Sequence, residues 1–381
     1  MKRLFLFLSW MWIGPAGLSQ HAPITGADQL ELLLPRLSGK RVGLVVNQTS
    51  VIGKTHLVDT LKSRGVNVVK AFAPEHGFRG TAADGEVIND SIDVRTGILL
   101  ASLYGKNHKP RPEQLADLDI LVFDIQDVGA RFYTYISTLT YVMEACAENE
   151  MTLIILDRPN PNGYVDGPIL KPEFKSFIGM HPIPVVHGLT IGEIAQMING
   201  EEWLKDKLKC KLDIIQLKSW KHSVPYALPI RPSPNLPNDQ AIGLYPSLCF
   251  FEGTVISLGR GTPMPFQVLG NPELKSMSFS FTPVSIKGVS NNPPQENKLC
   301  YGVDLRTVPL TRKIELHYLL DFYKAYPDKD KFFIPYFEKL AGTDELRQQI
   351  KSGMTETQIR ESWKPGLKRY EEMRKKYLLY K

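Results

Sequence analysis

A chain of 381 residues is longer than one hydrophobic core usually serves, so two unequal domains with a cleft between them are expected. Hydrophobic residues at 43%, charged residues at 23% and 28 scattered prolines exclude a disordered or fibrous protein. The net charge of +6 is spread over many residues and makes no basic patch, so nucleic-acid binding is not expected.

At the N-terminus, Lys2 and Arg3 precede an apolar run, Leu4 to Gly14, and then small and polar residues around Ala16, Gly17 and Ser19. This is the layout of a cleavable signal peptide over residues 1–20, too short for the roughly 20 apolar residues of a membrane span. With no later spanning segment, the expectation is an exported protein, periplasmic or secreted. No cysteine near the cut indicates lipid attachment. Losing Lys2 and Arg3 lowers the formal charge from +6 to +4.

After a polar leader, residues 41–47 (RVGLVVN) read as a strand and 56–64 as a helix. Further strands are expected at 66–73, 119–125 and 152–157, with a long helix at 132–149 between the last two. Thr190 and Glu193 make a capping box that opens a helix ending near Asn199 and Gly200, and 211–217 is a last strand. Buried strands alternating with helices predict an α/β domain, a parallel sheet wound on both faces. From Ser233 the strand and helix alternation gives way to Pro, Gly and aromatic residues, until helices return at 315–326 and after Thr343. The partition is therefore 21–232, then 233–381 as a smaller α+β unit. The basic stretch 364–381 alternates its charges with Glu371 and Glu372, as a solvated helix face does. Of the four cysteines, Cys146 reads as a buried thiol on a helix, and Cys249 with Cys300 is the favoured disulfide pair.

Ligands of an open parallel sheet bind beyond the carboxyl ends of its strands. Three strands run there into dense polar loops: 74–80 (PEHGFRG), 126–131 (QDVGAR) and 157–163 (DRPNPNG). Cleavage of a glycoside needs one carboxylic acid to protonate the leaving oxygen and a second group to attack or to activate water. Partial burial at a strand end favours a protonated acid, and Glu75 directly follows an apolar strand. His76 shares protons or orients substrate. The second carboxylate is open among Asp127, Asp124, Asp84 and Glu86, with Asp124 better explained as structural because it ends a buried strand. Asp157 and Arg158 are either an ion pair or substrate ligands. Arg79, Arg131 and Arg158 suit a lactate carboxylate through the guanidinium fork. Tyr133 and Tyr135 either stack on a sugar or pack.

Two alternatives fail on their residues. The segment 48–55 (QTSVIGKT) ends like a phosphate-binding loop but carries Gln48 where the motif needs Gly, and no G-x-G-x-x-G follows the first strand. The eight histidines have no zinc-like spacing and no G-x-S-x-G elbow occurs, which disfavours metal-dependent or serine esterase chemistry.

Taken together, Phe72–Gly80, Ser102–Gly105, Asp124–Tyr135, Leu156–Pro161, His187–Glu193, Pro232–Pro237, Phe251–Thr254, Leu340–Thr343 and Tyr377–Tyr380 resemble the NamZ-type exo-β-N-acetylmuramidase family. The resemblance spans nearly everything after the leader. It implies a Rossmann-like domain, a smaller auxiliary domain and an active site in the cleft between them. It also implies removal of non-reducing terminal N-acetylmuramic acid from peptidoglycan-derived saccharides, with Glu75 catalytic and no cofactor. Gln126, Asn160, Asn235, Glu252 and Arg260 join the candidate substrate ligands. Met264 departs from the family pattern, where a further basic residue is expected before Pro265 and Phe266. The rival reading is a wall-fragment binding protein on the same fold.

Overall fold

The structure, a computed structural model, describes residues 22–75, 77–78, 91–105 and 107–381. The expected leader lies outside them. Seven strands form the central sheet: β1 (Val42–Val46), β2 (Val68–Ala73), β3 (Ser91–Ile92), β4 (Leu99–Ser102), β5 (Ile120–Asp124), β6 (Thr152–Leu156) and β7 (Lys211–Ile215). Their spatial order is β7-β6-β5-β1-β2-β4-β3. Every pairing is parallel except β3 with β4 at one edge. The fold is thus mixed α/β around a large, mostly parallel sheet.

The period of two along each strand sorts its side chains into two cores. Val45, Phe72, Leu121, Phe123, Leu153 and Ile155 face one core, which the helices Tyr135–Glu148 and Ile191–Gly200 cover. Val42, Leu44, Ala71, Val122, Ile154 and Leu156 face the other, under the helices Leu30–Leu37 and Leu57–Ser63. The capping box at Thr190 is formed: its hydroxyl accepts from Glu193 N while the Glu193 carboxylate accepts from Thr190 N. Helix Leu30–Leu37 falls where a polar leader was expected; it buries Leu33 and Leu37 although Pro35 lies within it. Among the described residues, no helix is long and apolar enough to cross a membrane.

The second half begins with the helix Asp239–Leu248 and a 3-10 turn at Cys249–Gly253. A three-stranded antiparallel sheet follows: β8 (Val268–Asn271), β9 (Phe279–Phe281) and β10 (Cys300–Asp304), in the order β8-β10-β9. The expected link between Cys249 and Cys300 is not formed, and all four cysteines are free and buried. The two residues belong to different packing clusters: Cys249 joins the main core beside Tyr245, and Cys300 joins Val268 and Phe281. Met264 packs against that smaller cluster.

The two halves share one core, in which the Phe132 ring meets Tyr245 at 5.2 Å and Phe250 at 6.0 Å between centroids. A further tie is polar. Arg131, 2% exposed, donates through Nη1 to the carbonyls of Pro168 and Ile183 and through Nη2 to those of Leu340 and Ala341, at 2.8 to 3.0 Å. Burial pushes its pKa down to about 9, so the guanidinium stays charged at neutrality. Leaving a buried carbonyl without its donor costs about 1–3 kcal/mol, so four carbonyls of which some find new partners make a loss of about 3–5 kcal/mol. Arg131→Met should lower the unfolding free energy by that amount in urea denaturation; a loss under about 1 kcal/mol, the size of an exposed polar change, would contradict this assignment.

Candidate active site

The strand order reverses at β1, whose neighbours β2 and β5 send their loops to opposite sides of a crevice at the carboxyl edge. Glu75 follows β2, and Thr134 stands just before the helix that follows β5. The Thr134 hydroxyl donates to Glu75 Oε2 at 2.9 Å, bridging the crevice. A cavity of about 250 Å³ opens there. From the first half of the chain its lining includes Glu75, Tyr104, Tyr133 and Thr134, and from the second half Asn235, Tyr245, Glu252, Arg260 and Phe266.

Of the residues expected in the site, the cavity therefore gathers Glu75, Tyr133, Asn235, Glu252 and Arg260. Tyr133 is fixed by donating its hydroxyl to the Pro232 carbonyl at 2.9 Å. Asn235 donates to the Val289 carbonyl at 3.0 Å, and its Oδ1 is buried without a hydrogen-bond partner. Arg260 donates Nε and Nη2 to Glu252 Oε1, at 2.9 and 2.5 Å, and lies 5.1 Å over the Phe266 ring. His76, Arg79, Asp84 and Glu86 lie outside the described residues.

The other expected residues do not line the cavity. Asp127 Oδ1 accepts from Gly129 N at 2.7 Å, and the buried His187 Nε2 is 3.8 Å from it. Gly129 has φ +79° and a Cβ there would fall 2.1 Å from Asn160 Oδ1, so glycine is required. Gln126 donates to the carbonyls of Asp127 and Pro159, and Asn160 to that of Leu189. Tyr135, 1% exposed, accepts from Asn47 Nδ2 and does not reach the cavity as a stacking face.

The expectation that Arg131 and Arg158 read a substrate carboxylate is corrected by their partners. Arg131 holds four carbonyls, as above. Arg158 pairs with Asp124 rather than Asp157, through bonds of 2.6 and 2.9 Å in a fully buried fork. Burial disfavours the Arg158 charge, but Asp124 more than offsets this and the net shift is upward. Asp157 accepts instead from Tyr380 Oη at 2.6 Å, Thr190 Oγ1 at 2.7 Å and Gly192 N at 2.9 Å.

The sequence reading missed Tyr104, Thr134, Phe177, Tyr336 and Leu340 as cavity residues. Thr134 was within reach of sequence reasoning, as a hydroxyl residue beside Tyr133 at a strand-end loop. Tyr336 and Leu340 carry no local signal, because long-range packing brings them there. Elsewhere, Glu315, His317 and Glu356 approach one another as metal ligands would. Lys313 lies 3.1 Å from Glu315 and Arg360 2.9 Å from Glu356, so protein cations already balance the two carboxylates.

The family's N-terminal profile, described as exo-beta-N-acetylmuramidase NamZ, matches residues 42–240, and its C-terminal profile matches 243–380. The chain belongs to the NamZ exo-β-N-acetylmuramidase family. It is 39% identical over 380 residues to the peptidoglycan beta-N-acetylmuramidase NamZ of Bacillus subtilis strain 168, covering 92% of this chain and 90% of that protein. Two crystal structures of Bacteroides fragilis proteins, both of the DUF1343 family, share the fold. One has a TM-score of 0.89 at 47% identity, over 95% of this chain and 99% of its own. The other has a TM-score of 0.79 at 30% identity, over 94% and 99%.

Burial raises the Asp157 pKa to about 6 against the opposing hydrogen bonds of Tyr380, Thr190 and Gly192. An unfolded aspartate titrates near 3.9, at about 4 in round figures, so the folded state holds this proton more tightly. The group therefore favours folding fully below about pH 4 and loses that contribution as pH rises through about 6. A carbon-13 titration should place its midpoint near 6, and a value near 4 would contradict the burial argument.

Proposed function

We infer that the chain is an exo-β-N-acetylmuramidase, a glycosidase that releases terminal N-acetylmuramic acid from the non-reducing ends of peptidoglycan-derived saccharides. The observation that carries this reading is the position of Glu75. It stands on the wall of a sugar-sized cavity at the point where the strand order reverses, with a neutral hydroxyl, Thr134, as its hydrogen-bond partner. A carboxyl group in that setting can give a proton to a glycosidic oxygen. The family membership and the Bacillus subtilis relative point to the same chemistry.

Within this proposal the sheet is Rossmann-like. The parallel strands taken in chain order run 3-2-1-4-5-6 across it, which supports a doubly wound domain over 21–232 and an auxiliary unit over 233–381 that supplies part of the cavity lining. Export to the periplasm or medium is proposed from Lys2, Arg3 and the apolar run that follows. Mass measurement of the mature N-terminus checks it.

The test of function is release of p-nitrophenol from its β-N-acetylmuramide, with the β-N-acetylglucosaminide as control. Wild type should turn over the muramide alone. Glu75→Gln, which keeps shape and hydrogen bonding, should lose roughly 100- to 10,000-fold in kcat. If folded wild type cleaves neither the muramide nor a natural muramyl disaccharide, the protein binds fragments without cutting them.

A further inference from the structure

Glycoside hydrolysis needs a second carboxylate, ionised while the first is protonated. Asp124 is locked to Arg158, and Asp127 accepts from Gly129 N and does not line the cavity. Among the described residues, the acidic side chains on the cavity wall are Glu75 and Glu252. They come from the two halves of the chain, and their hydrogen-bond partners differ in charge. The partner of Glu75 is a neutral hydroxyl, whereas Glu252 receives two bonds from a guanidinium, both on Oε1. Such a pair keeps a carboxylate ionised. Arg260 is itself held over the Phe266 ring, and the side chains of Arg260 and Glu252 are only 15% and 21% exposed, which limits their motion.

The phenol rings of Tyr133 and Tyr245, one from each half of the chain, stand 5.9 Å apart between centroids and line the same cavity as the two glutamates. Both carboxylates thus line one cavity from different halves of the chain, and a water held between Glu252 and the sugar corresponds to the wider carboxylate arrangement of about 6.5–9.5 Å that goes with inversion.

We propose that Glu252 is the second catalytic carboxylate, the general base of an inverting hydrolysis, with Arg260 as its positioning residue. Glu75 gives its proton to the leaving oxygen as the C1–O bond breaks. Water forms the new C1–O bond from the opposite face and passes its proton to Glu252. The sugar leaves as the α-anomer, and the proton gained by Glu252 returns through solvent to Glu75. The inference rests on the glycosidase reading above.

Three measurements on the full chain test it, with p-nitrophenyl β-N-acetylmuramide as substrate. Glu252→Gln still accepts the Arg260 bonds, and it should lose roughly 100-fold or more in kcat while KM changes little. Glu252→Ala with sodium azide should recover turnover and yield the α-glycosyl azide. Arg260→Met should move the acid limb of kcat/KM to higher pH, with partial return in Arg260→Lys; a purely structural ion pair would lower the melting temperature without moving that limb. Proton NMR of the wild-type reaction needs no variant: α-anomer as the first product is expected, and β-anomer overturns the base assignment. A folded Glu252→Gln that keeps more than a tenth of wild-type kcat also overturns it. Both results require an active wild type, so they are distinct from failure of the muramidase reading, in which wild type itself is inactive.

Discussion

The constraint on which the rest of this structure depends is the buried guanidinium of Arg131. It ties the loop after β5 to the pair Pro168 and Ile183 and to the distant pair Leu340 and Ala341, through four carbonyl bonds. Taking such a charge out of water costs several kcal/mol, and four charge-assisted bonds of about 1.5–3 kcal/mol each are enough to offset that. The clamp also explains Gly342, which has φ +72° and whose Cβ would lie 2.6 Å from Arg131 Nη2. Leu340 also lines the cavity, so the same contact ties one of the residues of the site to the loop after β5.

A similar logic runs along the carboxyl edge of the sheet. Strand ends there leave backbone groups and polar side chains that need partners, and a parallel sheet covered on both faces offers little water. Asp124 and Arg158 neutralise each other, Asn47 fixes Tyr135, and Asp157 collects Thr190, Gly192 and the penultimate residue Tyr380. The C-terminal helix Glu356–Arg374 is drawn into the same framework, with Tyr370 donating to the His187 carbonyl at 2.7 Å and Arg360 pairing with Asp166 at 3.0 Å. These bonds make a rigid support behind Tyr133 and Thr134, and preorganisation of that kind holds a catalytic acid to a fixed geometry.

The cavity itself is a joint product of the two halves. The first half contributes Glu75 with a neutral neighbour and the second contributes Glu252 with a cation, and aromatic rings from both halves line the space they share. Neither half alone holds both carboxylates. A cleft of this sort separates two groups of the same chemical type into two roles, which a single strand-end loop, with its residues a few ångströms apart, could not do.

Much of this was legible in the sequence. The apolar runs that became β1, β2, β5 and β6 are buried on both faces, so their composition alone marks them, whereas the edge strand β7 is half-buried and buries fully only Ile215. Glu75 was marked by its place directly after such a run. The short strand β4 and its edge partner β3 were not legible, because half-exposed edge residues such as Leu99 and Ile92 carry no clear period. Nor was the division of labour among the polar loops. Arg131, Arg158, Asp157 and Asn160 have the residue types of a binding site, and only their packing shows that they bond to groups within the protein. Hydrophobic period and turn chemistry are local properties, so the sequence determined the elements and the edge at which ligands meet the sheet. Which polar groups face the cavity depends on contacts between residues up to 223 positions apart, and only the tertiary structure decided it.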